Sequence, residues 1–329
     1  MKTWLFVIAL PLVCGLPSLK IGRLQSAAVK GVLICNGKPA VGVKVKLYDD
    51  DRGELNISNL IHLLLHGRRI DLDDLMDEGI TDAQGRFQLS GHETEITNID
   101  PKLNVYHDCN DENTPCLKKF SIMIPDSFIT EGEKPKKVFD AGTLNLAGKF
   151  SGETLNTAHP NCRQKFDLKL FGTKLSNMFQ NLKMRSLRIL VVLLVLRVVY
   201  ALPSLFQIGK AQSVAVKGKL LCNGEPIANV KLKLYDVDTV DLDDLMAEGK
   251  SDANGTFYLS GTETELTTID PKLNIYHNCN DERKECLRKV SIVIPDSFVT
   301  VGERPEQTFD VGILNLSARL PGETRDCIN

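Results

Sequence analysis

Residues 81–112, TDAQGRFQLSGHETEITNIDPKLNVYHDCNDE, align without a gap to residues 251–282, SDANGTFYLSGTETELTTIDPKLNIYHNCNDE, with 23 identities in 32 positions. A chain that writes one long unit twice is built from like modules, and this decides its organisation before any single residue is weighed. The match runs on through SIMIPDSFIT and SIVIPDSFVT to FDAGTLNL and FDVGILNL. The repeated text is therefore domain-sized, and 329 residues accord with about two domains.

The repeat also reaches upstream. The chain opens MKTWLFVIALPLVCGLPS, with Lys2, an apolar run over 5–13 and small Gly15, the grammar of a secretory signal ending near residue 15. Met184 begins a second such segment, 184–201, in which Arg185 and Arg188 precede apolar residues 189–196 and then Val199 and Ala201. Leu-Pro-Ser-Leu follows both. Only eight apolar residues precede Arg197, against roughly 20 for a bilayer span, so no stable membrane span is expected. The duplicated unit thus reads as a whole secretory precursor, and the chain as two tandem precursors joined: module 1 over 27–162, a linker over 163–183, the second signal-like segment, and module 2 over 213–327. Module 1 alone carries an insertion over 52–68, around RGELNISNLIHLLLHGRR, which we read as a retained intron.

With 43% apolar and 25% charged residues the composition is globular, and a net charge of −2 without a basic cluster excludes a nucleic-acid footprint and a polybasic membrane patch. Cys14 falls inside the first signal. The other eight cysteines divide as Cys35, Cys109, Cys116 and Cys162 against Cys222, Cys279, Cys286 and Cys327. Even numbers at matching spacings behind an export signal read as disulfides rather than zinc, since Cys109 and Cys116 lie farther apart than common zinc-knuckle pairs. Four cysteines allow three pairings per module. The weak preference is Cys109 with Cys116, closing a loop between strands, and Cys35 with Cys162.

Turn and strand signals alternate throughout. Val29 to Cys35 is β-rich and stops at Asn36-Gly37; Val41, Val43, Val45 and Leu47 alternate with Gly42, Lys44, Lys46 and Tyr48; Asp-Ala-x-Gly turns at 82–85 and 252–255 precede alternating apolar residues. Residues 103–107, 120–124 and 138–146 complete about seven strands per module. The expected class is all-β: two disulfide-stapled antiparallel β-sandwiches.

The order V-K-G-x-L-x-C-N-G-x-P, V-x-V-K-L-Y-D, D-L-D-D-L-M, D-A-x-G-x-F-x-L-S-G, I-D-P-K-L-N-x-Y-H-x-C and I-P-D-S-F resembles the nematode transthyretin-like family, over both modules. That resemblance implies a prealbumin-like sandwich, a secreted product of the extracellular region, and a role in extracellular binding. The related hydroxyisourate hydrolases use two histidines, an arginine and a Tyr-Arg-Gly-Ser ending. Module 2 has only His277, and neither module ends that way, so no enzyme, cofactor or catalytic residue is expected. His107 and His277 lack companions for a metal or a base and are read as hydrogen-bonded to nearby backbone. Asp71, Asp73, Asp74, Asp241, Asp243 and Asp244 lack the spacing of a calcium loop and read as a solvated acidic turn leading into Leu75 and Met76. Asn56, Asn254 and Asn315 stand in glycosylation sequons. The partner is expected to be a small hydrophobic ligand or lipid, in a non-enzymatic carrier. The alternative is a cell-surface protein, in an extracellular adaptor or signalling role.

Overall fold

The computed structural model describes residues 22–50, 73–112, 114, 116–156, 209–237 and 243–328. Both signal-like segments, the 52–68 insertion with Asn56, the 163–183 linker, Asp71, Asp241, Cys14 and Cys162 lie outside them.

Module 1 runs β1 (Arg23–Cys35), β2 (Lys38–Pro39), β3 (Lys44–Asp49), β4 (Asp74–Ile80), β5 (Arg86–Glu95), β6 (Pro101–His107), β7 (Lys118–Met123), β8 (Thr130–Glu131), β9 (Phe139–Asn145), β10 (Lys149–Phe150) and β11 (Thr154–Leu155). Module 2 repeats it: β12 (Lys210–Cys222), β13 (Glu225–Pro226), β14 (Lys231–Asp236), β15 (Asp244–Lys250), β16 (Thr256–Glu265), β17 (Pro271–His277), β18 (Leu287–Val293), β19 (Thr300–Val301), β20 (Thr308–Asn315) and β21 (Thr324–Asp326). Seven strands of each module have six residues or more, and the others are two- or three-residue pairings on their edges. Helical backbone among the described residues is limited to one 3-10 turn per module.

In each module two sheets close on one core. β1 pairs antiparallel with β5 from Arg23 to Val32, and a second sheet is ordered β11-β7-β6-β3-β4. Alternation supplies the packing: Val45 and Leu47 of β3, Phe87 and Leu89 of β5, and Phe120 and Ile122 of β7 turn inward and are buried. Each is worth about 1.5–3 kcal/mol of burial. The all-β sandwich expected from the sequence is the observed one, with one departure: β1 and β9 pair parallel, as do β12 and β20. β9 reaches β1 by a crossover rather than a hairpin, which strand spacing alone does not reveal.

The turns follow their residues. Asn36 and Gly37 both take positive φ, 50° and 75°, the two-residue hairpin type that twists with its strands. Gly85 sits at φ 73°, where a Cβ would come within 2.2 Å of the Leu33 carbonyl. Asp82 fixes that turn by accepting from the Gln84 and Arg86 amides at 2.9 and 2.7 Å.

Two local expectations are corrected. Val41 does not begin a strand; it is exposed in the turn before β3, where Gly42 takes φ 74°. Of the supposed acidic turn, Asp74 instead opens β4, antiparallel to β3 and opposite Asp49, with Asp73 just before the strand. β15 repeats this with Asp236 opposite Asp244. The longer connection of module 1, seen in a Cys35 to Cys109 separation of 74 residues against 57 for Cys222 to Cys279, thus leaves the flanking pairing unchanged.

The modules join edge to edge. β9 pairs antiparallel with β20, so the β1 sheet continues into the β12 sheet and the buried residues of both modules form one contiguous core.

Candidate functional site

The exposed feature that both modules share is one end of the sandwich, where β3, β4, β5 and β6 begin or finish. Leu75 (48% exposed) and Ile96 (64%) stand there in module 1, and Leu245 (51%) and Leu266 (79%) at the equivalent places in module 2. Carboxylates surround the first pair. Asp49 is buried; its Oδ1 accepts from the Asp100 amide at 2.6 Å and its Oδ2 has no hydrogen-bond partner. Burial, reinforced by the negative charges of Glu95, Asp100 and Asp74, pushes the Asp49 carboxyl up to about 6. Asp74 is raised as well, by burial and then by Glu93 and Asp73. Lys102, itself buried, offsets part of this charge by pairing with Asp50 at 3.1 Å and with Asp73. In module 2 the corresponding Lys272 to Asp243 pair is 2.6 Å long and partly exposed. The described residues contain no group of three or more His, Cys, Asp or Glu side chains able to hold a metal.

The histidines correct an expectation. His107 and His277 are buried, and neither ring nitrogen of either makes a hydrogen bond. Nearby, Lys118 Nζ donates to Cys109 O at 3.0 Å and Arg288 Nη1 to Cys279 O at 2.9 Å. His107 packs edge-on against Phe120 and has Glu153 Oε2 3.6 Å from Nε2, beyond hydrogen-bond reach. His277 is driven down to about 3 by burial and then by the Arg288 charge, and so is neutral.

Sequence reasoning missed what lies beside His277. Arg288 holds Glu323 through a fork, Nε to Oε1 at 2.6 Å and Nη2 to Oε2 at 2.8 Å, while its remaining donors serve Leu316 O and Ala318 O. The Gly-Glu-Thr shared by both tails, at 152–154 and 322–324, was the available signal.

The cysteine pairing also differs from the preferred one. Cys35 bonds Cys109, Cys222 bonds Cys279, and Cys286 bonds Cys327. Cys116 is disulfide-bonded too. The sandwich places the end of β1 over the end of β6, where Asn36 Nδ2 also donates to Asn110 Oδ1 at 2.7 Å. The cross-sheet staple therefore displaces both the local Cys109 to Cys116 loop and the Cys35 to Cys162 bridge.

Of the sequons, Asn254 is exposed at the tip of the 252–255 turn. Asn315 is buried and donates from Nδ2 to Asp140 O of the other module at 2.8 Å, which leaves no room for a glycan on the folded chain.

Two open clefts carry charged side chains. One of about 710 Å³ between the modules is lined by Asp126, Asp281, Lys284, Arg288, Arg319 and Arg325 among others. Another, of about 420 Å³ on module 1, includes Lys30, Asp82, Arg86 and Asp140.

These features define a class: paired, disulfide-stapled β-sandwiches with exposed loop ends. The family model described as "TTR-52: Transthyretin-like family" matches residues 30–125 and 217–295. Transthyretin-like protein 5 of Caenorhabditis elegans is 55% identical over 139 residues, 42% of this chain and 88% of that protein. Transthyretin-like protein 33 of the same organism is 52% identical over 135 residues, 41% and 83%. Transthyretin-like protein 2 is 46% identical over 149 residues, 45% and 93%. The chain belongs to the transthyretin-like family, and each of these relatives spans about one module's worth of it. Among the described residues no helix is long and apolar enough to cross a membrane.

Proposed function

We propose that the chain is a secreted, non-enzymatic recognition protein of the extracellular space, and that it docks a cell-surface protein through the acidic, apolar-tipped ends of its modules. The observation that carries this reading is the pairing, at one end of each sandwich, of exposed Leu75 and Ile96 with Asp73 and Asp74, or of Leu245 and Leu266 with Asp243 and Asp244. Apolar side chains anchor protein interfaces, and a ring of charge steers a partner of opposite sign, here a basic one. The reading of a small apolar ligand finds less support, because core positions such as Leu47, Leu103, Val105, Phe139 and Leu144 are filled and fully buried, and the larger cleft, between the modules, is lined mainly by charged side chains.

The test is binding of the labelled chain to cultured nematode cells. Saturable binding that mild surface proteolysis removes, and that a Leu75→Lys, Ile96→Lys, Leu245→Lys, Leu266→Lys variant weakens about tenfold or more, is expected. Stoichiometric, saturable uptake of a fatty-acid probe, with no protease-sensitive cell binding, would overturn it in favour of ligand carriage.

A further inference from the structure

The outward face of the sheet built on β3, β6 and β7 carries two rows of side chains that recur in module 2. Val45, Leu47, Leu103, Val105 and Phe120 turn into the core, so the residues that alternate with them turn to the outside. The register sets Lys44 beside Tyr106 and Tyr106 beside Lys119; in the next row Lys46 lies beside Asn104 and Asn104 beside Ser121. On β14, β17 and β18 the rows are Lys231, Tyr276 and Lys289, then Lys233, Asn274 and Ser291. Lys44 and Lys119 stand two strand spacings apart, about 10 Å at their backbones.

Cations outnumber anions on these rows. Glu78 is shared by Lys44 at 3.4 Å and Lys46 at 3.1 Å, in pairs exposed enough to be weak. Lys46 Nζ lies 5.7 Å from the centre of the Tyr48 ring and Lys119 Nζ 5.8 Å from that of Tyr106, which places the ammonium groups over aromatic faces. In module 2 Lys231 and Lys233 share Glu248 at 3.6 and 3.8 Å, Lys289 pairs with Asp326 at 3.4 Å, and Lys250 stands beside Lys231 in the register. Three lysines against one carboxylate, and four against two, leave both faces positive in a chain whose net charge is −2. The excess stops short of the acidic end, where Lys102 is committed to Asp50 and Asp73. No basic run in the sequence announces it, because the strands bring together lysines that lie far apart along the chain.

The chemistry of the rows selects a partner. Ile80, at the β4 edge beside Lys44, is matched in module 2 by Lys250, so the two faces share no apolar anchor there of the kind a protein interface is built on. Membrane-surface binding likewise draws on apolar side chains that enter the lipid. Between the lysines the rows are polar, with Ser121 Oγ donating to Asn104 Oδ1 and Ser291 Oγ to Asn274 Oδ1, both at 2.7 Å. Separate positive points on a polar sheet fit a polymer that carries separate negative points on a polar, hydroxyl-rich chain. We propose that the outward faces of β3-β6-β7 and β14-β17-β18 bind a sulfated polysaccharide, its sulfates paired with Lys44, Lys46 and Lys119 on module 1 and with Lys231, Lys233 and Lys289 on module 2. This surface is separate from the acidic ends, and its partner is a glycan rather than a protein.

The experiment measures binding of the full chain to immobilised heparin and to chemically desulfated heparin by biolayer interferometry. Saturable binding to heparin is expected, weakening steeply as salt rises and absent on the desulfated polymer. Changing all six lysines to glutamine raises the Kd about tenfold or more, whereas changing all six to arginine keeps it within about twofold. Lys134→Gln, Lys136→Gln, Lys137→Gln, on an exposed loop away from the rows, also stays within about twofold. Circular dichroism verifies that each variant is folded. The assay contains neither cells nor a protein partner, so its outcome is independent of the cell-binding test of the acidic ends. No binding to heparin, equal binding to the desulfated polymer, unchanged binding by the six-glutamine variant, or an equal loss in the loop variant overturns the proposal. Binding to phosphatidylglycerol vesicles as tight as to heparin also overturns it, and assigns the face to an anionic membrane.

Discussion

Glu323→Ala removes the carboxylate from a buried, bidentate ion pair and leaves the Arg288 guanidinium, with its side chain only 10% exposed, facing carbonyls alone. Breaking a buried pair from one side costs about 3–5 kcal/mol, chiefly because the surviving charge stays desolvated. For a domain of this size that corresponds to a fall of about 10–20 °C in the Tm of module 2. Differential scanning calorimetry of the full chain reads it, and the shifted transition is thereby assigned to module 2. Module 1 supplies the internal control. Its Glu153 has, among the described residues, His107 at 3.6 Å from Oε2, without a hydrogen bond, and Lys118 is committed to Cys109 O, so Glu153→Ala is expected to cost clearly less. A Glu323→Ala loss below about 1 kcal/mol, or an equal loss from Glu153→Ala, would refute the view that the fork stabilises module 2 through a desolvated charge.

Acidification should separate the modules' stabilities. His277 has a folded pKa near 3, below its ordinary 6.5, so below 6.5 the unfolded chain takes up a proton that the native one refuses, and stability falls by about 1.4 kcal/mol per pH unit. Asp49, raised to about 6 from 3.8, acts with the opposite sign: the native state binds its proton first, and module 1 gains stability as pH falls from 6 towards 4. Calorimetry at pH 7 and 5 should show the module 2 transition descending, and His277→Gln should abolish that descent while leaving the module 1 change in place; an unmoved module 2 transition in the unaltered chain contradicts the assignment. Non-reducing peptide maps should contain Cys35–Cys109, Cys222–Cys279 and Cys286–Cys327 peptides, and a Cys109–Cys116 peptide would contradict the fold. Glycopeptide analysis of the secreted chain should find a glycan on Asn254 and none on Asn315.

What could be read from the sequence was local. Asn36-Gly37 and the Asp-Ala-x-Gly turns declare themselves because a few adjacent residues fix their dihedrals, and β6 and β7 do so through dense apolar content. β4 was hidden because DLMDEGI is an exposed edge with acidic residues at the positions that face water, which resembles a turn in composition. The Cys35–Cys109 bridge was missed for the opposite reason: it depends on two strand ends meeting across 74 residues, while a nearby Cys116 offered a shorter loop. The fork at Arg288 joins β18 to the segment after β20, again a long-range encounter. Nothing in FDAGTLNL distinguishes an edge that pairs with its own copy from any other strand, although the glycine in its middle, needed at Gly142 for close approach to Ile313, was a visible mark. The acidic end was seen as a run of aspartates, but the burial that sets Asp49 apart from its neighbours is a property of the packed sandwich.

The most direct test of the paired-module account is hydrogen–deuterium exchange of the intact chain, followed at the peptides covering 139–146 and 308–316. If β9 and β20 are central strands of one continuous sheet, these amides exchange as slowly as those of β1 and β12, and far more slowly than the free edges β4 and β15. Exchange of both peptides at the rate of β4 and β15 would show two sandwiches that merely share a chain.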